Sequence, residues 1–315
     1  MTLILANRAP GVATIAADAQ GSLGPSEKFK ARKLLDIGRE KVYLFAGAGD
    51  GNAIYKVASD AYAWWNKTTA EERKEPGLAQ LAGYLQRRTA DLFGNKRQDY
   101  IPDFVVIGAE SGDVKIFETN VDAVIERDEA YIGSGGRRAE RHVVEDRQRG
   151  IETPPRNMAL AFLHIYQYSR LVWEQDKDSD TTMQFGIATK DGVVREVFHP
   201  RLFRGVYPPE YSDEFMRHIE LNAGRQKVEA DNFEKWKHRM DRFYFELTRA
   251  ASHLQRSRAI SSRLHIAGQD SQRWEKEMAA DERFLQYMLE SLIKGGENIH
   301  TANKASVNRY GEKAD

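Results

Sequence analysis

The chain has 315 residues, 47 Lys and Arg against 47 Asp and Glu, 41% hydrophobic residues and no cysteine. That length and apolar content exclude a disordered chain and allow one large domain or two ordinary ones, and the missing cysteine excludes disulfides, thiolate metal sites and sulfur nucleophiles and suits a reducing compartment. The charge balance is also local, with 27 basic and 29 acidic residues over 1–200 and 20 and 18 over 201–315, so no field is built to hold nucleic acid.

No apolar run approaches the ~20 residues of a membrane span, and Leu3-Ile4-Leu5-Ala6 is too short for a signal-peptide core, so a soluble cytoplasmic protein is expected. In chain order, runs rich in β-branched and aromatic residues predict strands at Leu3–Ala6, Val12–Ala17, Val42–Ala46, Phe104–Gly108, Val114–Glu118, Tyr131–Gly133, Met183–Thr189 and Val193–Phe198. Hairpin turns at Ala9-Pro10-Gly11, Glu110-Ser111-Gly112-Asp113 and Lys190-Asp191-Gly192 join several of them. Amphipathic stretches at Gly51–Lys67, Gly77–Phe93, Gly136–Arg149 and Pro155–Glu174 predict helices. Hairpins alternating with helix pairs indicate an α+β layered domain and argue against a parallel sheet.

The texture changes beyond Pro208-Pro209. Of 24 glycines 18 precede residue 201, as do seven of the nine prolines. Phe233, Trp236, Met240, Phe243, Leu247, Ala250 and Leu254 follow a three-four alternation, and Trp274, Met278, Asp281, Leu285, Met288 and Leu292 nearly do. Two helices joined by residues 256–272 are expected as an antiparallel hairpin, with a frayed end from Gly295. The apolar seams fit packing on the chain's own core as well as they fit subunit contact. The boundaries are drawn at 2–207 and 208–315.

Neither HExxH, nor a Walker loop, nor an EF-hand loop is present, and the eight scattered histidines read as surface or packing residues. Gly47-Ala48-Gly49-Asp50-Gly51, between a strand and a helix, has the look of a pyrophosphate cradle, but the dinucleotide fingerprint wants a third glycine where Asn52 stands. Thr2 follows the initiator methionine, and a small second residue lets an aminopeptidase expose it. A free N-terminal threonine holds a hydroxyl nucleophile and an α-amine base in one residue. Thr2 alone is a weak signal, since threonine is common in second position.

The residues that follow Thr2 strengthen it: Asp18 on the second strand, Ala31-Arg32-Lys33, Phe45-Ala46-Gly47 and Ile132-Gly133-Ser134-Gly135-Gly136, in that order. Over roughly residues 2–200 the chain resembles the proteasome-type N-terminal nucleophile hydrolases, the family of the bacterial HslV peptidase and the proteasome β-subunits. The resemblance implies a four-layer αββα sandwich of two antiparallel sheets between helix pairs, here followed by a C-terminal helical extension that HslV lacks. It implies Thr2 as nucleophile with its α-amine as base, Lys33 as the active-site lysine and Asp18 as its partner. Gly47 matches the oxyanion-hole glycine, which would explain the glycines at 47 and 49 by close approach of substrate backbone. Ser134 matches the serine that contacts the α-amine. Asp176 and Ser179 match an Asp-x-x-Ser pair that supports the nucleophile, although Asp176–Asp180 reads equally as a solvated acidic loop. Phe45 matches the floor of the specificity pocket, or is core.

The implied activity is threonine-type hydrolysis of peptide or unfolded-protein amides inside a homo-oligomeric ring or double ring, open to an ATPase unfoldase, with neither metal nor cofactor. Two other classes stay open: a transferase or peptide ligase using the same acyl-enzyme, and a catalytically silent ring or scaffold subunit in which Met1 is retained.

Overall fold

A computed structural model of the chain describes residues 2–18, 20–23, 27–30, 33–39, 41–96, 101–175, 183–198, 233–295 and 297–311. It divides into two compact units, Met1–Arg195 and Glu196–Asp315. The fold is α+β, with two antiparallel sheets and, among the described residues, seven helices.

The first sheet has the order β10-β1-β2-β11-β12. Its strands are β1 (Ile4–Ala9), β2 (Val12–Asp18), β10 (Glu129–Ile132), β11 (Met183–Thr189) and β12 (Gly192–Phe198). The hairpin β1–β2 turns at Pro10-Gly11, where Gly11 has a φ of 73° that other L-residues rarely adopt. The second sheet runs β5-β6-β7-β8-β9. It contains β5 (Leu34–Ile37), β6 (Tyr43–Ala48), β7 (Asp103–Glu110), β8 (Asp113–Thr119) and β9 (Val124–Arg127). A separate ribbon pairs β3 (Gln20–Leu23) with β4 (Glu27–Lys30). The short strands β3, β4, β5 and β9 were not legible as apolar alternations.

Strand alternation decides which side chains meet. Ile4, Ala6, Ala13, Ile15 and Ala17 of the first sheet share one core with Leu34, Leu44, Ala46, Val105 and Ile107 of the second, so the two sheets face each other. The opposite face of the second sheet, carrying Tyr43, Phe45, Phe104 and Val106, is covered by α1 (Gly51–Glu72) and α2 (Leu78–Phe93) through Val57, Trp65, Leu81 and Leu85. Helices α3 (Gly133–Gln148) and α4 (Met158–Gln175) pack against β1, β2 and β10 of the first sheet. At ~25 cal/mol per Å² of apolar surface removed from water, this interleaved burial is the main force holding the layers together.

One histidine departs from the surface or simple packing role expected of it. His164 on α4 is 1% exposed. Its Nε2 is 2.8 Å from the Tyr131 hydroxyl, which donates to Glu129 at 3.0 Å, and its Nδ1 lies 3.5 Å from Glu152. Arg147 of α3 forms a two-pronged pair with Glu129. These polar contacts tie β10, and with it the Gly133 turn, to both helices.

The C-terminal unit contains α5 (Phe233–Ile266), α6 (Gln272–Lys294) and α7 (Glu297–Tyr310). The periodicity predicted the buried stripes of Met240, Phe243, Leu247, Ala250 and Leu254 on α5 and Leu285, Met288 and Leu292 on α6. Two expectations are corrected. Helix α5 continues through Ile266, so the connection is a short turn and not residues 256–272. The end predicted to fray is helix α7, with Ile299, Ala302 and Ser306 buried. Beside these it has polar anchors, which apolar periodicity does not detect. Ser306 Oγ donates to the buried Glu246 carboxylate at 2.7 Å, and Arg309 and Tyr310 reach the buried Asp281 at 2.7 and 3.1 Å. No helix among the described residues is long and apolar enough to cross a membrane.

Candidate active site

The ends of β1, β2, β10 and β11 converge. Ile4 pairs with both Ala17 and Ile132, which brings Thr2 and Leu3 beside Asp18 and Gly133, and Met183 pairs with Asp18. Asp18 N–H donates to the Leu3 carbonyl at 3.0 Å, and Leu3 N–H returns a bond to Asp18 Oδ1 at 2.7 Å. Asp18 is thereby locked to the residue that follows Thr2.

Lys33 comes from the other sheet. It immediately precedes β5, whose first residue, Leu34, pairs with Ala46, the residue before Gly47. Its Nζ donates to Asp18 Oδ1 at 2.8 Å and to Thr2 Oγ1 at 3.4 Å. The Lys33 and Asp18 side chains are only 10% and 7% exposed. Two charges so far from water persist because each compensates the other, and the Leu3 N–H adds a third hydrogen bond. The arrangement holds a fixed positive charge beside the threonine hydroxyl, where it favours the alkoxide.

The glycines of the Gly133-Ser134-Gly135-Gly136 run have steric reasons. Gly133 sits at φ 77°, and a Cβ there would collide with the Thr2 carbonyl oxygen. A Cβ on Gly135 would stand 3.0 Å from Leu3 Cβ, and one on Gly136 would stand 2.9 Å from the Tyr131 carbonyl carbon. The first turn of α3 thus lies directly against the N-terminal strand. Gly135 N–H donates to the Thr2 carbonyl at 2.8 Å, and Thr2 N donates to the exposed Ser134 hydroxyl at 3.4 Å. With Met1 attached that nitrogen is an amide and cannot act as a base; after removal of Met1 it is an amine beside a hydroxyl.

The glycines at 47 and 49 have steric reasons within the chain itself. A Cβ on Gly47 would stand 2.8 Å from Ile54 Cγ2 and 2.9 Å from Phe104 Cε1, and Gly49, at φ 130°, packs on the backbone of Ile101 and Pro102. The chain's own packing accounts for both glycines without a substrate. Asp50 then caps α1, accepting from Ala53 N at 2.9 Å, which puts a carboxylate where a cradled phosphate would need to sit. Phe45 has no exposed surface and packs against Tyr62 and Phe104 on the α1/α2 side, so the structure gives it a core role. Asp176 and Ser179 lie outside the described residues.

Thr2, Asp18, Lys33 and Ser134 are therefore brought together, and Gly47 follows the residue that pairs with Leu34. Sequence reasoning missed Gln184, whose buried Oε1 accepts from Lys33 N at 2.9 Å and Leu34 N at 2.7 Å. The only sequence signal for it was a polar residue at an inward position of the β11 alternation. Among the described residues no group of three or more His, Cys, Asp or Glu could hold a metal ion. No protein-family model matches the chain, and no curated protein matches it.

Proposed function

We propose that the N-terminal unit is a threonine-type amide hydrolase of the proteasome-like N-terminal nucleophile class, acting on peptide or unfolded-protein bonds. The observation that carries this reading is the contact of Lys33 Nζ with both Thr2 Oγ1 and the buried Asp18 carboxylate, with Ser134 at the Thr2 nitrogen. Two facing sheets with helix pairs packed outside them support the finer reading of the fold as a four-layer αββα sandwich.

Once Met1 is removed, the Thr2 α-amine, acting through one water, takes the proton from Oγ1 as the oxygen attacks the scissile carbonyl. Lys33 stabilises the developing charge on Oγ1, and Asp18 holds its Nζ in place at 2.8 Å. The Gly47 backbone N–H would donate to the oxyanion, a contribution of ~3–4 kcal/mol for one such donor. Collapse of the tetrahedral intermediate breaks the C–N bond, and the leaving amine takes the proton from the Thr2 ammonium. A water, deprotonated by the same amine, then hydrolyses the Thr2 ester. Ring assembly belongs to this reading because confinement supplies the selectivity that an open site lacks, and particle size by native mass spectrometry tests it.

The test is hydrolysis of fluorogenic peptide amides by the chain lacking Met1, compared with Thr2→Ala. Turnover lost in Thr2→Ala is expected; equal turnover in both would overturn the assignment. Adding an amine-bearing peptide separates hydrolysis from ligation, because a ligase yields the joined peptide.

A further inference from the structure

We propose that Gln184 is a positioning residue that sets the separation of Lys33 from Thr2; this rests on the reading of Thr2 as nucleophile. Asp18 ends β2 of the first sheet and Thr2 leads into β1, whereas Lys33 leads into β5 of the second, so the reactive geometry depends on how the two sheets are docked. Gln184, on β11 of the first sheet, pairs with Ala17, an inward-facing residue next to Asp18. Its side chain crosses to the second sheet, where one oxygen accepts from the successive N–H groups of Lys33 and Leu34 at 2.9 and 2.7 Å.

That double contact has a conformational consequence. Successive N–H groups of an extended strand point to opposite sides, so two of them meeting on one oxygen require the backbone to curl at Lys33. An amide oxygen has two lone pairs, and both are used here. Gln184 is 3% exposed, so losing its oxygen would remove a buried acceptor that two backbone N–H groups share. Two residues further along, Gly186 lets the sheets close: a Cβ there would collide with Leu44 Cδ1 and stand 3.1 Å from Ile15 Cγ2 and 3.3 Å from Leu34 Cδ2. Gly186 brings the second sheet in, and Gln184 fixes the height of Lys33 upon it.

The Lys33 Nζ to Thr2 Oγ1 distance of 3.4 Å is already near the limit of a hydrogen bond. A drift of about 1 Å would take the ammonium out of reach, a misplacement that typically costs ~100-fold in rate. Gln184→Met keeps the volume and removes the acceptor, whereas Gln184→Glu keeps an oxygen that can accept both bonds.

The experiment measures kcat, KM and the pH profile of kcat for the otherwise full-length chain lacking Met1, wild type and both variants, together with crystal structures of wild type and Gln184→Met. The expected result is a ~100-fold lower kcat in Gln184→Met with KM little changed and a displaced pH profile. Lys33 Nζ should have moved away from Thr2, and Gln184→Glu should restore most of kcat. Wild-type kcat in Gln184→Met, or an unmoved Lys33, would overturn the proposal, as would equal loss in the Met and Glu variants. If Gln184→Met does not fold, Gln184→Asn, which withdraws the oxygen by one methylene, takes its place with the same expected loss and displacement. Should the wild type hydrolyse nothing while Lys33 is displaced in the variant, the positioning stands and the failure belongs to the hydrolase reading.

Discussion

Replacing Lys33 by methionine tests the electrostatics of the site. The substitution leaves the Asp18 carboxylate, 7% exposed, without the ammonium 2.8 Å away. Orphaning one member of a buried pair typically costs ~3–5 kcal/mol. At roughly 2–4 °C per kcal/mol for a unit of this size, Lys33→Met should lower the unfolding midpoint of the N-terminal unit by about 6–20 °C. Asp18→Asn orphans the ammonium in turn, but its Oδ1 can still accept from Leu3 N–H. The double variant removes both charges and retains that bond, so it should be more stable than either single variant. Calorimetry gives the four midpoints, and peptide-amide turnover is read on the same samples. All three variants should lose at least ~100-fold in turnover, because stability returns in the double variant and the charge beside Oγ1 does not. Additive stability losses, with a coupling below ~0.5 kcal/mol, would rule out a Lys33–Asp18 ion pair, since contacting charges must couple.

Three other outcomes follow from particular contacts. Gly133→Ala should abolish turnover even if the chain folds, because the new methyl collides with the Thr2 carbonyl and φ 77° disfavours alanine; wild-type turnover would contradict the seat described for Thr2. Burial first, and then the Glu118 carboxylate, outweigh the Arg137 guanidinium and push Asp103 up to about 6. A carboxyl raised in the fold contributes stability fully below its unfolded pKa of about 4 and loses that contribution as pH rises through about 6. Asp103→Asn should therefore stabilise the unit relative to wild type at about pH 7.5, with the difference disappearing below about pH 4, and a pH-independent difference in urea midpoints would contradict this. Arg309→Met should cost the C-terminal unit roughly 2 kcal/mol, less than a fully buried pair because Arg309 is 28% exposed, and an unchanged midpoint would deny Asp281 its role in holding α7.

Whatever depended on local pattern was legible in the sequence. The β1–β2 hairpin followed from alternation around Pro10-Gly11, and the stripes of α5 and α6 from their three-four spacing. Thr2, Asp18, Lys33 and Ser134 were legible only as a constellation, since Thr2 and Lys33 lead into strands of different sheets and Ser134 meets Thr2 across 132 residues. Strand β5 escaped because Leu34-Leu35-Asp36-Ile37 is too short to show a period. Helix α7 escaped because a serine, an arginine and a tyrosine anchor it. The glycines at 47 and 49 were legible as constrained positions, but their cause, the packing of Ile54, Phe104 and the Ile101-Pro102 backbone, is visible only in three dimensions. Gln184 gave almost no signal, because the backbone it holds is 150 residues away.

The proposed chemistry requires Thr2 to become a free, nucleophilic N-terminus. Intact mass of the chain before and after incubation with an acylating β-lactone, followed by peptide mapping, reads this out. A chain lacking Met1 that gains one acyl group on Thr2 is expected, with no gain in Thr2→Ala. Retained Met1 in the assembled native protein, or acylation that does not depend on Thr2, would contradict it.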